Sequence, residues 1–247
     1  MEREEYDRSY TLERGHWWFR GKREAVRALL RRIGTSCPSP GEVVLDVGCG
    51  TGGALEVLGP PGFAVGIDDH EEALLLARRR GRIRPVRATA VALPVASGSV
   101  DRLFLLDVLE HVPDDRSALC EVRRALRPGG TAVVHVPAHP SLWSPHDEVM
   151  HHVRRYRRSE LVEKLVEAGL EPVVVTYTFA GILLPATVVR WWKRRSGGEI
   201  RADFGLVPRW ANHALLGWQR CEAALLRRVS LPFGLSLAAV ARPDGAS

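Results

Sequence analysis

The chain has 247 residues, 45% of them hydrophobic, which is enough for one sizeable core and fits a single α/β domain. Its formal net charge is +6, and all 35 basic residues except Lys22, Lys164 and Lys193 are Arg; the basic clusters at 78–84, 154–158 and 190–195 are scattered along the chain, so nucleic-acid binding is not expected. Residues 1–10 are acidic and polar and lack the apolar segment of a signal peptide, and Cys37, Cys49, Cys120 and Cys221 show no metal-type pairing, so a reducing cytoplasm is expected.

Residues 13–34 carry Trp17, Trp18, Ala25, Leu29 and Leu30 among charged side chains, a helical pattern ended by Gly34 and the stretch 36–41. They predict an N-terminal helical cap. From Glu42 onward short apolar runs alternate with helical segments: strands over 43–47 and 64–67, helices over 53–58 and 71–80. Strands near 83–88 and 101–106, a helix over 115–126 and a strand over 131–136 continue the alternation, which implies βαβ units and a mostly parallel sheet. A helix over 160–168 stops at Gly169; a strand over 173–177, a helical insertion over about 182–228 and a last strand over 234–241 follow.

The uncharged run 172–189 approaches the length of a membrane span, but Val173, Val174 and Val175 favour a strand, and Gly181 and Pro185 interrupt a helix. It reads as a buried strand leading into a loop or helix. Trp191 and Trp192 next to Lys193, Arg194 and Arg195 are compatible with shallow contact at a membrane surface.

Residues 44–53 form a buried strand ending in a glycine-rich turn that opens a helix, where backbone can approach a ligand closely and present free N–H groups. Gly48, Gly50 and Gly53 satisfy the dinucleotide fingerprint, so NAD has to be weighed. Asp46 argues against it. A carboxylate two residues before the first glycine would repel a pyrophosphate, whereas it suits a cationic ligand. Asp68, 20 positions after Gly48, ends the second strand, where it can accept hydrogen bonds from ribose hydroxyls.

These residues, and others in the same order, resemble the class I S-adenosylmethionine (SAM) dependent methyltransferases, in particular the bacterial small-molecule type. Residues 45–52 resemble the first family motif, which implies that Asp46 serves the amino end of SAM and that Gly48, Cys49 and Gly50 admit its methionine portion. Ile67-Asp68-Asp69 resembles the second, with Asp68 on the ribose. Leu93-Pro94 and Ser99-Val100-Asp101 resemble the approach to the fourth strand, and the segment Leu106-Asp107-Val108-Leu109-Glu110-His111 resembles the one whose backbone faces the methyl donor. Leu126-Arg127-Pro128-Gly129-Gly130 matches the turn before the fifth strand.

The resemblance covers about 42–137 and implies a Rossmann-like seven-stranded sheet with an antiparallel final strand. One position departs from it: Thr89 stands where the family commonly has an acid for the adenine amino group, which leaves adenine to Thr89 or the backbone of Ala90. His16-Trp17-Trp18-Phe19-Arg20 resembles a segment that precedes the core in some bacterial members. It implies a helix closing over SAM and acceptor, with Trp18 excluding water and Arg20 or Arg23 meeting a carboxylate. Since adjacent helical residues cannot share one face, Trp17 and Trp18 are expected to part, one towards the site and one towards the sheet.

The organisation expected is then one methyltransferase domain: a cap over 1–40, a SAM-binding core over 41–137 and an acceptor-side half over 138–247. Methyl transfer mainly requires alignment, with a base only where the acceptor must lose a proton. The segment 137–156 holds the candidates: His146 beside Asp147 as a base with a carboxylate partner, His152 as another base, and Tyr156 or Arg155 for an oxyanion. His111 is expected to line the cofactor pocket. The spacing of His146, Asp147, His151 and His152 matches no standard ligand pattern, so no metal is expected.

The apolar insertion next to basic residues points to a hydrophobic natural-product or lipid/glycan-pathway intermediate as acceptor, and could serve as a lid, a homodimer interface or a membrane-leaning surface. A SAM-binding cyclase or scaffold and an NAD-dependent oxidoreductase are the competing readings.

Overall fold

A computed structural model of the chain describes residues 3–35, 38–60, 64–185, 187 and 207–245. The expected alternation is present as a seven-stranded sheet in the order β3-β2-β1-β4-β5-β7-β6. Its strands are β1 (Val44–Val47), β2 (Ala64–Asp68), β3 (Arg84–Arg87), β4 (Val100–Leu106), β5 (Leu126–Pro137), β6 (Leu170–Thr178) and β7 (Ser236–Pro243). β1 to β5 pair in parallel, and β7 runs antiparallel to both β5 and β6. This is the seven-stranded Rossmann-like sheet that the resemblance implies, final antiparallel strand included.

Every residue of β1 and β4 is buried, as expected of parallel strands covered on both faces. Their period-2 alternation sorts side chains between two cores. Leu45, Leu103, Leu105 and Val134 point to one face, under α5 (Asp115–Ala125) and α7 (Arg158–Glu167). Val44, Phe104, Leu106 and Val133 point to the other, under α2 (Trp17–Arg32) and α8 (Arg209–Leu226). Short helices α3 (Leu55–Leu58), α4 (Glu71–Arg78) and α6 (Pro145–Val149) and the N-terminal α1 (Arg3–Leu12) are also present.

Two expectations change here. The N-terminal cap is two helices, because the chain turns at 13–16 before α2; α1 packs Tyr6 against Ala73 and Leu76 of α4. The insertion begins with a helical segment at 180–185 and ends in α8, which lies along α2, with Gln219 filling the space beside Gly21. Trp191, Trp192 and the basic residues 193–195, like Cys37, lie outside the described residues. Among the described residues no helix is long and apolar enough to cross a membrane; the described part of the uncharged run 172–189 includes strand β6 and the 180–185 helix.

Candidate active site

The carboxyl ends of β1, β2 and β4 open into a cavity of about 890 Å³, near the top of the range for small-molecule sites. The turn after β1 supplies its floor. Gly48 has φ +67, and a Cβ there would lie 2.5 Å from Val108 Cγ2, so only glycine fits between the loop and the segment after β4. Asp46, 2% exposed, sits in the strand below. Burial, reinforced by the nearby Glu13 and Asp68 carboxylates against the pull of Lys22, pushes it up to about 8. Asp68 accepts from Gly50 N at 2.9 Å and His70 N at 3.0 Å, and Asp69 lies 2.5 Å from His70 Nδ1.

All thirteen residues that the sequence assigns to the donor, Trp18, Arg23, Asp46, Gly48, Cys49, Gly50, Asp68, Asp69, Thr89, Ala90, Asp107, Val108 and His111, line this one cavity. Arg20 does not; Arg23 donates to the Glu13 carbonyl at 2.7 Å. The turn between α1 and α2 is clamped onto the glycine loop, since Thr51 Oγ1 donates to Glu13 Oε2 at 2.6 Å and the buried Arg80 guanidinium bridges Glu13 and Glu56, both at 2.7 Å.

Asp107 carries more than a backbone role. Its φ of +61 is unusual for a non-glycine residue, and the conformation is held by Lys22 Nζ at 2.5 Å and His135 Nδ1 at 2.6 Å. Burial alone would raise its pKa; the Lys22 and His135 charges override that and hold the carboxyl well below the ordinary range. Lys22 and Glu13, which line the cavity, and Arg80, which holds Glu13, escape the sequence reading because their partners lie tens of positions away.

Both tryptophans face the site, against the expectation that they would part. Trp18 stacks on Phe179 at 4.1 Å and Trp17 meets the same ring edge-on at 6.2 Å. They are the first two residues of α2 and meet each other edge-on at 5.6 Å, and Phe179 (φ +58) packs against both, its backbone held by Glu222, which accepts from the N–H groups of Phe179 and Ala180.

At the other end His146, Met150, His151, His152, Arg155, Ile182 and Pro185 line the cavity. Asp147 is fully buried and does not pair with His146. It forms a capping box with Ser144 and accepts from His152 Nδ1 at 2.9 Å and Arg155 Nε at 2.7 Å. Neighbours on a helix point about 100° apart, so the Asp147 carboxylate serves His152 instead. Burial would raise Asp147; the His152 and Arg155 interactions outweigh it and hold it below the usual carboxylate range.

Tyr156 is corrected outright as a candidate. It is fully buried, does not line the cavity, and donates to Asp115 Oδ2 at 2.7 Å and the Leu109 carbonyl at 3.1 Å. With Lys164 and Arg154 on the same carboxylate, it ties the segment after β5 to α5. His111 is lowered to about 4, by burial first and then by the neighbouring His152.

Residues 45–134 match the family model described as a methyltransferase domain. The chain is 34% identical over 143 residues to a demethylmenaquinone methyltransferase of Tropheryma whipplei, covering 55% of each chain. It is 31% identical over 164 residues to a probable S-adenosylmethionine-dependent methyltransferase of Mycolicibacterium smegmatis, covering 65% of this chain and 62% of that one. The matched segments thus span about half the length of these curated relatives. A solved SAM-dependent methyltransferase structure from Thermotoga maritima superposes with a TM-score of 0.63 at 18% identity, over 98% of this chain and 96% of the other, and so shares the fold. Residues 45–134 thus match a methyltransferase domain, in a chain that shares the fold of a solved SAM-dependent methyltransferase.

Proposed function

We propose that the protein transfers a methyl group from SAM to a hydrophobic small-molecule acceptor. The observation that carries this reading is one continuous cavity, lined by the acids and glycines of the β1 and β2 turns and also by Trp17, Trp18, His146, His152, Ile182 and Pro185. The lining fits SAM: Gly48 and Gly50 leave room above the loop, the buried Asp46 offers a carboxylate to an ammonium, and Asp68 keeps lone pairs for hydroxyls. When bound, SAM supplies a methyl group already activated on a sulfonium.

The protein's own part is positioning. Trp17, Trp18 and Phe179 keep water out, and Lys22 locks the cap to the core through Asp107, holding the donor end in shape. His146 takes the acceptor proton where the acceptor must lose one, while Asp147 positions His152. The acceptor belongs to the hydrophobic natural products or lipid-linked intermediates, since Trp17, Trp18, Phe19, Met150, Ile182 and Pro185 are among the residues that line the cavity.

Calorimetric titration with SAM, S-adenosylhomocysteine and NAD, followed by mass-spectrometric detection of methylated product over a panel of prenylated and aromatic acceptors, tests this. Micromolar binding of both adenosyl ligands with silence for NAD is expected, and His146→Ala leaves SAM binding intact while slowing turnover. NAD binding without SAM binding refutes the donor assignment; SAM binding with no methylated product from any acceptor favours a cyclase or scaffold.

A further inference from the structure

The histidine-rich end holds a cluster whose joint geometry the methyl-transfer reading does not use. Glu110 and His111 lie in the 3-10 turn after β4, and His152 follows α6. Each offers one ligand atom, and the three atoms lie within 4.8 Å of one another. Around a tetrahedral ion, donors at 2.0–2.2 Å stand about 3.4 Å apart, so small side-chain rotations close the set.

Three independent features prepare these residues for a cation. Glu110 is 1% exposed, and its Oε2 is buried with no hydrogen-bond partner among the described residues. Such an orphaned oxygen is costly unless a ligand meets it. His152 is oriented through Nδ1 by the Asp147 carboxylate, itself fixed by Arg155 and Ser144, which leaves Nε2 as its remaining donor. A carboxylate behind a histidine is the arrangement that orients metal-binding imidazoles. His111 hydrogen-bonds to the His151 backbone and faces His152 at a ring separation of 4.8 Å, interplanar angle 78°.

We propose that Glu110, His111 and His152 bind a divalent first-row transition ion of the zinc type. Two imidazole nitrogens and one carboxylate suit Zn²⁺ and its neighbours, whereas Mg²⁺ and Ca²⁺ favour all-oxygen sets. The sequence reading expected no metal because it grouped His146, Asp147 and His151, which are not in this cluster; Glu110 and His111, 41 positions or more from His152, are. A three-ligand site keeps a position open to the cavity, where an acceptor hydroxyl can coordinate and give up its proton more readily. That use of the ion rests on the methyl-transfer reading; the binding site does not.

The test is titration of the chelator-treated full-length protein with Zn²⁺ by calorimetry, and with Co²⁺ by visible absorption. One ion per chain is expected, with Co²⁺ bands in the visible. Glu110→Gln, His111→Gln and His152→Gln each weaken Zn²⁺ binding at least about tenfold, and His213→Gln on α8 leaves it unchanged. Circular dichroism and SAM titration of each variant separate loss of the site from loss of the fold. No stoichiometric Zn²⁺ uptake, uptake that survives the His111→Gln/His152→Gln double substitution, or uptake lost on His70→Gln at the exposed Asp68–Asp69–His70 group overturns the site. Zn²⁺ uptake with no SAM binding leaves it standing and sinks the methyltransferase reading instead.

Discussion

Asp46 makes the donor end sensitive to pH in a way that can be worked out in advance. Burial pushes its carboxyl up to about 8, so at pH 7 only about one chain in eleven carries it ionised. A cationic ligand needs the ionised form. Ionising the group at pH 7 therefore costs about 1.4 kcal/mol, and at pH 6 about 2.7 kcal/mol. SAM affinity is expected to rise about ninefold between pH 6 and pH 7, and binding at pH 7 to release about 0.9 proton per SAM, read by calorimetry in buffers of different ionisation enthalpy. Asp46→Asn removes the dependence and also the charge-assisted contact, weakening binding at pH 7 by roughly 10- to 150-fold. The ligand-free protein gives an opposite-looking check. A carboxyl whose folded pKa lies above its unfolded value binds more protons when folded, so stability falls as pH rises from about 4 to 8 and Asp46→Asn flattens that slope. SAM binding that is flat from pH 6 to 7, with no proton released, refutes the ammonium contact.

Lys22→Met leaves the Asp107 carboxylate with His135 alone and is expected to cost roughly 3 kcal/mol in urea unfolding, at the low end for a broken buried pair because Asp107 is partly exposed. Gly48→Ala places a Cβ against Val108 at φ +67; SAM affinity falls at least about tenfold, and thermal stability falls by about 1–2 kcal/mol. Tyr156→Phe removes a hydroxyl that reaches only Asp115 and the Leu109 carbonyl, so it costs about 1 kcal/mol of stability with kcat unchanged. A collapse of kcat in that variant, with the fold intact, would restore Tyr156 to the chemistry.

The donor end was legible because its determinants are contiguous. Asp46, Gly48, Gly50 and Asp68 lie at the end of a buried strand, in the turn that follows it and at the end of the next strand, so once the short apolar runs 44–47 and 64–68 are recognised as neighbouring strands their convergence follows from parallel pairing. The acceptor end is made differently. His146 and His152 arrive on a loop and a one-turn helix whose course depends on a capping box, and the adjacency of His146 to Asp147 in the chain is misleading because the Asp147 side chain turns inward. Polar contacts that hold the site and the segments around it join Lys22 to Asp107, Arg80 to Glu13 and Tyr156 to Asp115, pairs separated by 85, 67 and 41 positions. Such pairs leave no periodic trace in a single sequence.

Those long-range pairs also explain how two dissimilar ends share one cavity. The cap reaches the core through two charged clamps, Glu13–Thr51–Arg80 over the glycine loop and Lys22–Asp107–His135 at the end of β4, so the helix that brings Trp17 and Trp18 to the acceptor side is held by the same loops that face the donor. α8 fixes its other flank, with Asn212 accepting from Trp17 N at 2.8 Å and donating to the Gly15 carbonyl at 3.0 Å. A change that loosens either clamp therefore displaces the aromatic wall as well as the donor end. Donor affinity and acceptor specificity are coupled through α2, although no side chain on that helix need touch the reacting atoms.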